Sequence, residues 1–166
     1  MAVISAEKDT QELNFRLVAE FDADVKRVWR IWEDPRQLER WWGPPTWPAT
    51  FDSYDFAVGG RAAYYMTGPD GEKAHGWWVI TGIDAPTRLT FDDGFADENR
   101  EPMDELGHTH AVVTLEDLGN RTRMTLVTGF ESLEQLNQMV EMGMEEGLKL
   151  ALGQVDSLLA EEDAAV

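Results

Sequence analysis

Residues 12–21, ELNFRLVAEF, alternate: Leu13, Phe15, Leu17 and Ala19 share one side and polar residues take most of the other. That is the period of a half-buried strand. The period then changes. In DADVKRVWRIWED, Val25, Val28, Trp29 and Trp32 sit at i, i+3, i+4 and i+7, one stripe of a short helix, with Asp22 or Asp24 placed to cap it. A second short helix follows. Asp34 can cap, Pro35 suits the first turn, Gln37 completes a capping box, and Leu38, Trp41 and Trp42 share an apolar side. Gly43 fits the left-handed position past the helix end and Pro44 stops continuation.

From residue 49 the pattern is that of a meander. ATFDSYDF, RAAYYM, AHGWWVITGI, RLTFDD, HTHAVVTLED and RTRMTLVTGF read as strands, separated by Gly59-Gly60, a Pro-Asp-Gly turn, DAPT and Leu118-Gly119-Asn120. Residues 94–107, GFADENREPMDELG, show no period and many acids, and are expected to form a mobile loop. From Ser132, which opens a second box with Gln135, one long helix is predicted, its stripe running from Leu133 through Met144 and Leu148 to Leu159. No repeat or linker interrupts the order, so a single domain is expected.

These elements predict an α+β fold in which a curved antiparallel sheet of six to seven strands grips one long C-terminal helix. One helix about 10–12 Å across cannot cover strands spaced about 4.8 Å apart, so either bulky side chains or a ligand must take up the space. The expected walls follow from alternation. Counting back from Met66 turns Tyr64 and Met66 inward, and counting back from Ile83 through Thr81 turns Val79 and Trp77 inward. Leu89, Phe91, Val113, Met124 and Leu126 come from the later strands. The helix brings Gly143, Met144, Gly147 and Leu148, the glycines spaced i, i+4 either for close approach to the sheet or to make room for a ligand. Trp47, beyond the Gly-Pro-Pro turn, either caps the entrance or buttresses the turn.

Composition narrows the function classes. The formal net charge of −18, from 32 acidic and 14 basic residues, repels phosphate backbones and anionic lipids, so neither nucleic acid nor a membrane surface is an expected partner. The absence of cysteine removes thiolate nucleophiles and cysteine metal sites, and fits a reducing compartment. With no secretory leader pattern at the start, a cytoplasmic location is expected; a homodimer is compatible with these features.

Catalytic signatures such as the nucleophile elbow, the P-loop and H-E-x-x-H do not occur. His108 and His110, two apart on a strand, could offer two metal ligands with a third from Asp104 or Glu105, but alternation gives the buried face to Ala111, Val113 and Leu115. No metal and no cofactor are expected. His75 could act as a base at a pocket mouth, or be a rim histidine. Arg61, Arg88, Arg121 and Arg123 suit cross-strand ion pairs, or one of them could turn inward to hold a ligand carboxylate.

Several of these segments also carry a family likeness. VWRIWEDPRQLERWWGPP, VGGRAAYYMTGPDGE, GWWVITGIDAPTRLTF, RTRMTLV and EMGMEEGLKLALGQVDSLL together resemble the bacterial relatives of the heat-shock-protein-90 ATPase activator C-terminal domain, within the START and Bet v 1-like superfamily. The likeness spans about residues 12–160. It implies a helix-grip fold and three classes of role: carriers of lipids and other apolar ligands, polyketide cyclases, and chaperone regulators. The eukaryotic activator has a separate N-terminal domain, whereas about eleven residues precede the first predicted strand here. The expectation is therefore an apolar or amphipathic small molecule carried or sensed in the cavity, with a cyclase or hydrolase and a protein-interaction module as alternatives.

Overall fold

The computed structural model of the protein describes residues 3–99, 101–103 and 107–164. In chain order the strands are β1 Val3–Asp9, β2 Asn14–Phe21, β3 Ala49–Tyr54, β4 Arg61–Thr67, β5 Lys73–Asp84, β6 Arg88–Ala96, β7 His108–Asp117 and β8 Thr122–Gly129. They form one sheet in the order β1-β2-β8-β7-β6-β5-β4-β3, with every neighbouring pair antiparallel. The sheet thus has eight strands; β1 extends it where the sequence reading began its first strand only after residue 11. Leu13, expected on the buried face of that strand, instead sits in the β1–β2 turn at φ 54.

The two short helices form as the sequence predicts. α1, Val25–Glu33, starts where the Asp24 carboxylate accepts from the Arg27 N–H. α2, Pro35–Trp41, starts where Asp34 accepts from the Arg36 N–H. Gln37 does not complete a capping box; its side-chain oxygen accepts from Arg27 Nη1 at 2.8 Å and ties α2 to α1. Gly43 takes φ 106, and a Cβ there would overlap the Trp47 carbonyl oxygen, so only glycine fits this exit.

That exit sends Trp41 and Trp42 into the core. Trp32, Trp41 and Trp78 are fully buried, and Trp42 nearly so. The Trp32 and Trp41 rings meet edge-on at 4.8 Å, Trp42 and Trp78 at 5.0 Å, and Trp78 stacks on Phe91 at 3.9 Å. The two edge-on contacts are of the kind the ring quadrupoles prefer.

The long C-terminal helix is broken into three: α3 Leu133–Glu141, α4 Met144–Leu152 and α5 Val155–Ala164. Ser132 caps α3 by accepting from the Gln135 N–H. Gly143, at φ 91, breaks the α3–α4 run in a left-handed conformation, which explains this glycine by backbone geometry rather than by close approach to the sheet. At the next break the Gln154 amide donates to the Gly43 carbonyl at 2.8 Å, fastening the C-terminal helices to the end of α2.

Candidate functional site

Beneath the α3–α4 bend lies a cavity of about 330 Å³, within the size range of small-molecule sites. Its floor follows the two-residue period of the strands: Tyr64 and Met66 from β4, Phe91, Asp93 and Phe95 from β6, Thr109 and Ala111 from β7, Leu126 and Thr128 from β8. Met139, Met142, Gly143, Met144 and Leu148 form the roof, and Trp42 stands at the aromatic end. Methionine is flexible and polarizable, so a roof rich in it adapts to different shapes.

The sequence reading placed Tyr64, Met66, Phe91, Leu126, Gly143, Met144 and Leu148 at the cavity, and all seven border it. Other expectations need correction. Trp77 and Val79 lie on the opposite face from Trp78 and Ile80, which are the buried pair. The cause is a β-bulge: Ile80 pairs with Phe91 and Gly82 with Thr90, leaving Thr81 out of the ladder. Counting alternation across a bulge reverses the face. Trp77 instead packs its ring on Gly94 from outside and donates to the Phe95 carbonyl at 3.1 Å.

Leu89, Val113 and Met124 do face inward but are fully buried in the core, away from the cavity lining; Trp32 Nε1 donates to the Met124 sulfur at 3.3 Å. Trp47 packs its ring against Gly68 and is not part of the wall. Gly147 lies within α4, outside the lining, with open space where a Cβ would stand. Thr81 is exposed and hydrogen-bonds Thr90.

None of the four arginines turns inward. Arg121 pairs with Glu20 and Asp22, Arg123 with Glu20 and Glu116, and Arg61 and Arg88 are exposed. His75 is on the Trp77 side of β5, beside the Tyr65 ring. His108 and His110 are exposed and meet Glu131 and Asp92. Among the described residues no group of three or more potential ligands is placed to hold a metal ion. Asp104 and Glu105 lie outside the described residues. Of the predicted loop 94–107, the first residues continue β6 through Ala96, Pro102 bridges back to Ala96, and Gly107 borders the cavity.

The chemistry of the cavity rests on Asp93, a residue the sequence reading passed over. The signal was present: Leu89, Phe91, Asp93 and Phe95 share one parity, so an acid stands in an apolar row. Burial pushes its carboxyl up to about 7, against lesser opposing pulls from the Tyr64 hydroxyl and the Gly94 N–H. The Tyr64 hydroxyl donates to Asp93 Oδ1 at 3.2 Å. To reach it from β4 the ring crosses β5 over Gly76, where any Cβ would collide with it. Tyr64 itself is raised well above its ordinary value, by burial first and by the Asp93 charge second. The buried indole N–H groups of Trp42 and Trp78 lie against that hydroxyl and pull in the opposite, downward direction, less strongly.

A curved antiparallel sheet closed over by C-terminal helices, with a cavity between them, defines a helix-grip protein of the START-like kind. The chain belongs to the family described as "Activator of Hsp90 ATPase homolog 1-like protein", whose model matches residues 22–160; proteins of this kind commonly bind hydrophobic ligands. The solution structure of a protein from Arthrobacter aurescens is 67% identical, with 96% of this chain and 92% of that one covered and a TM-score of 0.93. A crystal structure from Mycobacterium smegmatis is 45% identical over 95% of this chain and 96% of that one, TM-score 0.88. A third, from Nitrosomonas europaea, is 26% identical over 92% and 97%, TM-score 0.80. No curated protein matches the chain. Among the described residues no helix is long and apolar enough to cross a membrane.

Proposed function

We propose that the protein binds an apolar or amphipathic small molecule in the cavity beneath the α3–α4 bend, as a carrier or sensor. The observation that carries this reading is the cavity itself: about 330 Å³ of space between sheet and helices, apolar apart from a few polar groups that include Asp93 and Tyr64. Ligand sites have that composition, with apolar walls for affinity and a few placed polar groups for orientation. A chaperone-regulating or other interaction module finds less support, since that reading calls for a sealed interior beneath an exposed apolar patch.

A cyclase or hydrolase using the same cavity is the second reading, and Asp93 is what favours it. A carboxylate with a pKa of about 7 is poised to take and return protons near neutrality. Native mass spectrometry of the freshly purified protein tests both readings. A carrier is expected to show a bound small molecule whose mass stays constant on incubation, and an enzyme one that changes. Leu148→Trp, which fills the cavity from its roof, is expected to abolish that bound species while thermal unfolding stays cooperative. Binding that survives Leu148→Trp at full strength would place the ligand elsewhere.

A further inference from the structure

Among the described residues Asp93 is a carboxylate without a cation. The lining contains no arginine, lysine or histidine among the described residues, and the histidines and Arg61, Arg88, Arg121 and Arg123 are turned away, as described above. Tyr64 faces Asp93 from β4 and donates a hydrogen bond. Trp78 is its partner on β5 and Thr109 on β7, the latter hydroxyl donating to the Asp93 main-chain carbonyl at 3.3 Å. The roof above offers Met139, Met142 and Met144. Tyr64 is thus the one other titratable group among the described lining residues. A buried carboxylate is stabilised in its charged form only by a paired cation or several donors, and here the described residues supply donors alone.

Resting on the reading of the cavity as a ligand site, we propose that its occupant is a lipophilic amine, whose ammonium pairs with Asp93 and whose apolar body lies under the methionine roof. Two further features fit such a ligand. Trp42, Tyr64, Phe91 and Phe95 border the same space, and aromatic faces attract a desolvated ammonium. The net charge of −18 concentrates cations around the protein and repels carboxylate-bearing lipids.

The ammonium is held while Asp93 is ionised, so binding expels the proton that the carboxyl holds near its pKa of about 7. Affinity for an amine therefore rises with pH, falling about tenfold from pH 8 to pH 6 while the amine stays charged throughout.

Three probes of one shape separate this inference from the cavity reading: 2-(1-naphthyl)ethylamine, 2-(1-naphthyl)ethanol and 1-naphthylacetate, titrated calorimetrically at pH 8. The amine is expected to bind about tenfold or more tighter than the alcohol, as a charge-assisted contact is stronger than a neutral one, and the acetate weakest. Asp93→Asn, which keeps the shape and removes the charge, is expected to level amine and alcohol and to erase the pH dependence. Equal binding of amine and alcohol by the unaltered protein, tightest binding of the acetate, or an amine preference that survives Asp93→Asn would overturn the inference and leave the cavity reading standing. If none of the three binds, the cavity reading fails and the inference fails with it.

Discussion

At one end of the concave face Trp32, Trp41, Trp42, Trp78 and Phe91 interlock, with ring centroids 3.9–6.3 Å apart in the contacts they make. At the other end the same sheet looks up at Met139, Met142, Met144 and Leu148 across open space. Trp42 belongs to both regions: its ring packs in the cluster and also closes the cavity. The difference lies in what each element could bring. α1 and α2 are short helices rich in tryptophan, fixed by Asp24, Asp34 and the Gly43 exit, and they seal their end. α3 and α4 meet at a glycine and carry flexible side chains, so they span their end without filling it. A rigid aromatic end beside a deformable roof is a sound arrangement for holding a ligand of variable shape.

The largest expected effect is therefore a difference in stability between the two ends. Trp32→Ala removes a fully buried ring from the cluster and is expected to cost about 3–5 kcal/mol. Leu148→Ala, at a half-buried position on the roof, is expected to cost less than about 1.5 kcal/mol. Urea unfolding midpoints of the two variants measure both. Equal losses would mean that the roof is packed as tightly as the aromatic end, and the contrast would collapse.

How much of this was legible in the sequence depends on the element. Periodicity and capping residues were enough for the helix-grip order, because Asp24, Asp34 and Ser132 act locally and need no tertiary information. Assigning faces failed where a pairing irregularity intervened: the bulge at Thr81 turned Trp77 outward, and Gly82 inside the strand pattern is the one local signal of it. The single long helix was overdrawn because its apolar stripe runs on through Gly143, and only the backbone angle reveals the break. Asp93 was readable by simple alternation, yet its importance depends on the Tyr64 ring crossing Gly76, a contact between three strands. Of the fourteen expected wall residues, those on unbroken alternation near the open end border the cavity. Leu89, Val113 and Met124 lie in the packed core instead, because sequence period tells inside from outside and not filled from empty.

The next effect concerns Asp93, the one acid among the described lining residues. Asp93 has its carboxyl raised from 3.8 to about 7, so between those values the folded protein keeps a proton that the unfolded chain has lost. Fewer protons on the unfolded state mean that stability falls as pH rises through that window and levels off above it. Asp93→Asn removes this dependence. Relative to the unaltered protein, the variant is expected to gain stability from pH 4 to pH 8, by on the order of 2–4 kcal/mol if the whole shift is expressed. The comparison is read from urea midpoints of both proteins at each pH. A constant difference would mean that Asp93 is as well solvated as a surface carboxylate, and that the open end is wetter than its walls suggest.

The smallest effect tests whether the roof is truly bent. Gly143 and Gly147 are four residues apart, and a continuous helix through both would make alanine favourable at each, since glycine inside a helix costs about 0.5–1 kcal/mol. The bend separates them. Gly147 lies within α4 with nothing near the position of a Cβ, so Gly147→Ala is expected to stabilise by about that amount. Gly143 holds φ 91, where a side chain is strained by about 1–2 kcal/mol, so Gly143→Ala is expected to destabilise. Opposite signs in the two urea midpoints support a roof hinged between Met142 and Met144. Two stabilising substitutions would instead describe one straight helix, and the space beneath the methionines would then need another cause.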